Sequence, residues 1–205
     1  QITNGECPIY IHNTVSKDEI LSMKKILNKD TRAISCSPID MVLKMRRYFG
    51  AFVHYFIKGR KNHFSSIGMN PLSPEWHDMI QMLYSKSSYG FDGDYKGFER
   101  YLTMQIADGI LKIIESYYEK FGSPSKKEAL ARKVLMHCII HCVIKVGPWL
   151  FWKRYGNPSG NYLTAVLNTL MGAIFMRVFW RILARENSRP KWADLLHYNR
   201  LVGEK

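Results

Sequence analysis

The stretch that most constrains this chain runs from Tyr155 through Gly156, Asn157, Pro158, Ser159, Gly160 and Asn161 to Asn168. Its first half is turn chemistry. Gly156 and Gly160 admit backbone angles that other residues resist, and Pro158 fixes its own φ at about −65°. Its second half is apolar at helical spacing, with Leu163, Val166, Leu167 and Leu170 on one side and Thr164 and Asn168 on another. A loop thus feeds a buried helix that still presents two hydrogen-bonding side chains on one stripe. That design suits a loop that touches a ligand and a helix that reads a polar feature of it. An ordinary helix start behind a surface loop fits the same residues.

What surrounds the stretch is strongly basic. Thirty Lys and Arg face 17 acids in 205 residues, a net charge of +13, with a pI near 9.6. The excess favours a polyanionic partner, nucleic acid first and an anionic membrane surface second. At 46% hydrophobic the chain has ample material for a core. Cys7, Cys36, Cys138 and Cys142 make no disulfide framework in a chain this long, and no secretory signal precedes them, which implies a reducing compartment. The chain opens on Gln1 and stops at Gly203-Glu204-Lys205, and reads as a piece of a larger protein.

In chain order, Ile9-Tyr10-Ile11 is β-like and Lys17, Lys24, Lys25, Lys29 and Arg32 form a basic run. Ser16 and Glu19 satisfy a capping box, so local rules allow a helix there, whereas residues 31–36 look extended. Ser37-Pro38 starts a helix through about Phe56, carrying Met41, Met45, Tyr48, Phe49 and Phe52. Ser73-Pro74 starts another, with Trp76, Ile80 and Leu83 expected to face a core. Residues 89–94 read as a short strand ending in acids. A long amphipathic helix follows, with Leu102, Ile106, Ile110, Ile113, Ile114, Tyr117 and Phe121, stopped by Gly122. Ser125 and Glu128 cap a helix through about Ile144, broken by Gly147-Pro148, and residues 149–155 read as a strand or hairpin arm. The helix from about Asn161 to Arg185 is the most apolar stretch. Thr164, Asn168 and Thr169 interrupt it too often for a membrane span of about 20 apolar residues, so a buried helix is expected. The mixture predicts an α+β fold.

Three constellations could carry chemistry. Asp94, with Asp92 nearby, closes the β-like run, and Glu99 opens the following helix. A strand-end carboxylate suits a hard divalent cation, which needs one or two such ligands plus substrate phosphates; capping aspartates at a turn give the same pattern. The basic run could clamp a triphosphate or be a solvated face. His137 with His141 and Cys138 with Cys142 are each one helical turn apart, but neighbouring residues on a helix point about 100° apart, so the four cannot close on one zinc ion. Cysteines packed as small apolar groups are the expectation. No P-loop lysine motif is present.

In order, these pieces resemble the RNA-dependent RNA polymerases of positive-strand RNA viruses, specifically the picornavirus-like group, over nearly the whole chain. Lys17-Asp18-Glu19 through Arg32 resembles the fingers motif that holds the incoming triphosphate. Asp94-Tyr95-Lys96-Gly97-Phe98-Glu99 resembles the first palm motif. Gly156 to Gly160 followed by Thr164 and Asn168 resembles the second. Phe49 to Phe52 and Ile67 to Pro71 resemble connecting segments.

The resemblance implies a partial right-hand polymerase fold, with the fingers and the first half of the palm. Residues 1–88 would be a fingers segment, 89–122 a palm segment, 123–155 a connector through the fingers and 156–205 a second palm segment. It implies nucleotidyl transfer from NTPs onto an RNA 3′-hydroxyl by a two-metal mechanism, with Asp94 ligating Mg2+ or Mn2+. Lys17, Lys25 and Arg32 would neutralise the triphosphate. Glu99, Ser159, Thr164 and Asn168 would read the ribose 2′-hydroxyl. Gly156, Ser159 and Gly160 would form a template loop that flexes. Implied partners are template, primer and product RNA, NTPs, a protein primer and other viral replication proteins, with no transmembrane segment. The implied location is the host cytoplasm at membrane-associated replication complexes. Two departures stand out. Glu99 replaces the usual aspartate, and no Gly-Asp-Asp motif follows Asn168, Asp194 being a lone acid. The thumb and later palm motifs are missing too, so the isolated chain should not polymerise alone. The rival is a non-catalytic basic RNA- or membrane-binding module; a reverse transcriptase fits the residues after the Ser-Gly loop less well.

Overall fold

The computed structural model describes residues 1–90, 92–122 and 125–186, without the side chains of 61 and 62. The α+β expectation holds, in two compact units. The first comprises residues 1–53 and 97–167, the second 54–96 and 168 onward.

The first unit is built on a four-stranded sheet in the order β2-β1-β3-β4. The strands are β1 (Ile11–Ser16), β2 (Ala33–Cys36), β3 (Cys142–Val146) and β4 (Trp149–Lys153). Their pairing is mixed. β1 runs antiparallel to β2, with Thr14 opposite Ser35, and parallel to β3, with His12 opposite Ile144. β3 and β4 form a hairpin in which Val146 faces Trp149 across the turn Gly147-Pro148.

The structure settles one stretch that the sequence leaves open and departs from two expectations. Ser16 ends β1 rather than capping a helix, and the ladder extends beyond it, the Lys17 N–H donating to the Arg32 carbonyl at 2.8 Å. Helix α1 starts only at Met23 and stops at Leu27. The fifth helix ends at Ile140, not Ile144, because β-branched Val143, Ile144 and Val146 join a ladder paired on both sides. The expected strand over 89–94 does not form: Tyr89, Gly90 and Asp92 to Tyr95 carry no regular structure. Gly90, Asp92, Gly93 and Asp94 are poor strand formers, and no strand of the sheet offers them a ladder.

Helices α2 (Ile39–Lys58), α4 (Met104–Phe121) and α5 (Lys126–Ile140) supply most of the first unit's core. Met41, Met45, Phe49 and Phe52 recur at helical spacing on α2 and are all buried, as the periodicity predicts. They share the interior with Ile110 and Ile114 of α4, Leu135 and Ile139 of α5, and Leu163 and Leu167. Burial of each such side chain stabilises by about 1.5–3 kcal/mol. α4 and α5 are also joined by charge. Arg132, almost fully buried, grips Glu115 through two bonds of 2.6 Å, and its guanidinium lies 3.9 Å from the Tyr118 ring centre.

Within the second unit α3 (Pro74–Tyr84) begins at Pro74 behind Ser73, as read from sequence. Its apolar side is open, however: Trp76 and Leu83 are about half exposed and no residue of α3 is buried. Amphipathic spacing says which face seeks cover, not whether this chain supplies it. Arg60 anchors the helix start by a bidentate pair with Glu75 at 2.6 and 2.8 Å.

Helix α6 (Thr164–Glu186) is expected to be buried, and its first half is: Leu163 just before it, then Val166, Leu167, Leu170 and Met171, are covered. The second half is not. Val178, Phe179, Ile182 and Leu183 are exposed, and by length and composition alone α6 could cross a membrane. Asp194 lies outside the described residues.

Candidate functional site

The loop before α6 is fastened on two sides within the first unit. Gly156, at φ +89°, turns the chain so that its N–H reaches the Leu102 carbonyl at 2.7 Å and the Asn157 N–H reaches the Glu99 carbonyl at 2.8 Å. On the other side Ser159 Oγ accepts from the Ser35 N–H at 3.3 Å. The Gly160 N–H donates to the Ser35 carbonyl at 3.0 Å, and Gly160 makes a parallel bridge with Cys36. A Cβ on Gly160 would stand 2.7 Å from the Ser35 oxygen, so only glycine permits this approach.

Inside the loop, Asn161 is buried and holds the turn together. Its Oδ1 accepts from the Leu163 N–H at 2.7 Å and its Nδ2 donates to the Pro158 carbonyl and to Asn157 Oδ1. Thr164 Oγ1 donates to the same Pro158 carbonyl at 3.2 Å. Thr164, read from sequence as a ribose contact, is thus engaged within its own loop.

These ties bound a cleft of about 660 Å³, lined among others by Ser35, Glu99, Lys153, Asn157 and Ser159. Elements far apart in sequence therefore meet on one opening: the strand that follows Arg32, the acid Glu99, and the Ser-Gly loop. Of the residues singled out from sequence, Glu99 and Ser159 line it. Lys17 and Arg32 do not; both turn onto Glu19, each at 3.3 Å. Lys17 and Arg32 are 44% and 68% exposed, so these pairs contribute no more than about 1 kcal/mol and can be exchanged for a phosphate. Lys25 is exposed on α1. Asp94 and Asn168 belong to the second unit, where Asp94 is exposed and the Asn168 Oδ1 is buried without a partner among the described residues.

Sequence reasoning missed Lys153 and His12. Lys153 ends β4 on the cleft, with Nζ 3.3 Å from where a Cβ on Gly156 would sit. Burial pushes its pKa down, opposed by Cys142 and Glu99. His12 is fully buried, its Nδ1 sharing a 3.3 Å hydrogen bond with Ser37 Oγ. Its pKa falls to about 4, chiefly through burial and secondly through Lys153, so it is neutral at pH 7. The only signal for either was a polar residue at an inward position of a strand.

Among the described residues no group of three or more His, Cys, Asp or Glu could hold a metal ion. Asp94 alone does not make the shell that the resemblance implies. Cys138 and Cys142 are buried, as expected of packed thiols, and burial pushes their pKa values up to about 12 and about 11.

Comparison with known proteins gives a consistent result. The family described as "Viral RNA-dependent RNA polymerase" matches residues 2–196. The genome polyprotein of Rice tungro spherical virus (strain Vt6) is 30% identical over 181 residues, 88% of this chain and 5% of that protein. The RNA1 polyprotein of Cowpea mosaic virus (strain SB) is 29% identical over 200 residues, 97% of this chain and 10% of that protein. The chain thus spans a tenth or less of these polyproteins. Among solved structures, the Sicinivirus 3Dpol RNA dependent RNA polymerase matches with a TM-score of 0.62 at 20% identity, covering 85% of this chain and 37% of that one, a likeness of fold. With nearly its whole length matched, this chain belongs to the viral RNA-dependent RNA polymerase family.

Proposed function

We propose that this chain is the part of a viral RNA-directed RNA polymerase that holds the incoming ribonucleotide and the template against each other. The observation that carries the reading is the cleft where Glu99, Ser159 and the strand after Arg32 meet. A ribose hydroxyl placed there finds an acceptor in the Glu99 carboxylate and a hydroxyl in Ser159. A triphosphate reaching the basic arm draws Lys17 and Arg32 away from Glu19, exchanging weak exposed pairs for charge-assisted bonds to phosphate. Lys25 adds positive charge on α1. Thr164 supports this site by fixing the loop. A role for Asn168 in reading the ribose rests on the resemblance alone.

Divalent cations are a general property of this family; that Asp94 binds one of two Mg2+ or Mn2+ ions is proposed for the complete enzyme only. Replication at cytoplasmic membranes, with RNA, NTPs, a protein primer and other replication proteins as partners, follows from the same reading. The test is primer extension by the complete polymerase carrying Asp94→Asn. Nucleotide incorporation is expected to vanish while RNA affinity stays unchanged. Near-normal extension would remove Asp94 from the reaction.

The exposed apolar residues of α6, Val178, Phe179, Ile182 and Leu183, favour a second reading as a basic membrane-binding module. It predicts flotation of this chain with anionic vesicles and no discrimination between nucleotides.

A further inference from the structure

Two opposite charges line the cleft, and among the described residues neither is paired. Glu99 is held by its backbone, its carbonyl accepting from the Asn157 N–H at 2.8 Å, while its carboxylate makes no hydrogen bond or ion pair there. The Lys153 ammonium, half-buried at the end of β4, is equally unpaired. A charge drawn out of water without a partner costs free energy, so its placement calls for a physical reason.

The backbone keeps a path open between the two. Lys153 Cε and Nζ lie 3.2 and 3.3 Å from the point where a Cβ on Gly156 would sit, and the Glu99 carbonyl oxygen lies 3.0 Å from the same point. A side chain there would fill the gap through which the lysine reaches the segment carrying Glu99. Glu99 is also the carboxylate whose charge acts on Lys153, favouring the ammonium that burial disfavours. The other cations of the opening are worse placed. Arg100 and Arg154 are exposed, so water screens them, and Arg100 folds back with Nε 3.2 Å from the Cβ point of Gly97. A glutamate, with one more rotatable bond than the aspartate that the resemblance leads one to expect, needs something to aim it.

We propose that Lys153 is a positioning residue for Glu99: with a ribonucleotide in the cleft, its ammonium reaches past Gly156 to one carboxylate oxygen and leaves the other turned to accept from the ribose 2′-hydroxyl. This deepens the polymerase reading and rests on it. A nucleotide entering the cleft displaces water, which strengthens the attraction between the two charges at the moment the acid is used.

The test is a double-mutant cycle on the complete polymerase, read as the ratio of kcat/KM for ribonucleotide to that for deoxyribonucleotide. Lys153→Met, or Lys153→Gln should the first fail to fold, is expected to lower that ratio about three- to tenfold, through the ribonucleotide alone. Lys153→Arg keeps the cation and should retain most of the ratio. Glu99→Gln should lower the ratio by itself, and adding Lys153→Met to it should lower it no further. A ratio unchanged by Lys153→Met, a loss as large in the Glu99→Gln background, or an arginine as damaging as the methionine overturns the proposal. The second of these outcomes would mean that Lys153 acts on the nucleotide directly. If Glu99→Gln lowers the ratio and Lys153→Met does not, the ribose reading of the cleft stands without the lysine; if Glu99→Gln leaves it unchanged, both fall.

Discussion

Gly160 and Ser35, far apart in sequence, are joined backbone to backbone: the Gly160 N–H donates to the Ser35 carbonyl at 3.0 Å, and the space between them excludes even a methyl group. Through this contact the Ser-Gly loop and the strand that follows the basic arm become one structure. Gly160→Ala must push the loop off β2, since the added carbon would stand 2.7 Å from a backbone oxygen that cannot rotate away. A destabilisation of about 1–3 kcal/mol is expected, read as a lower urea midpoint. A midpoint equal to that of the unaltered chain would show that the loop is not fastened there.

The Arg132–Glu115 pair joins α4 to α5 at the back of the same unit. Arg132→Ala leaves Glu115, itself largely covered, without its partner and strips the Tyr118 ring of the guanidinium above it. Loss of about 3–5 kcal/mol is expected by urea unfolding. Arg132→Lys should recover little, because an ammonium cannot make the two parallel bonds.

His12 gives the fold a pH signature. Its pKa in the folded protein is about 4 against an ordinary 6.5, so between those values the unfolded chain takes up a proton that the folded one refuses. Stability is therefore full above about pH 6.5 and falls as pH drops toward 4, by up to about 3 kcal/mol. His12→Gln should flatten that part of the stability profile, measured by urea unfolding from pH 7 to pH 4.

Helices were legible where a 3.6-residue apolar period met a start or stop signal: Ser37-Pro38 with Met41, Met45 and Phe49, and Ile110 and Ile114 before the stop at Gly122. The sheet was legible only in part. Strand β2 and the arm from Trp149 were read correctly, but Ser16 fits a capping box and Cys142 to Ile144 continue the apolar run of α5, and both are claimed by ladders with partners far away in sequence. The acidic run before Glu99 was read as a short strand, yet a strand exists only where another chain segment pairs with it. The site shows the same division. Glu99 and Ser159, singled out from the sequence, both line the cleft, whereas Lys153 and His12 stand out only through burial, which no single-sequence pattern reports.

The central claim is that the cleft reads a ribonucleotide, and the most direct measurement is the ratio of ribonucleotide to deoxyribonucleotide incorporation by the complete polymerase carrying Glu99→Ala. Loss of the only carboxylate at the cleft among the described residues, Ser159 being left in place, should lower that ratio at least about tenfold, the value of one hydrogen bond to a charged group. Asn168→Ala should lower it in the same direction. A ratio unchanged in both variants, with incorporation otherwise normal, would contradict the account.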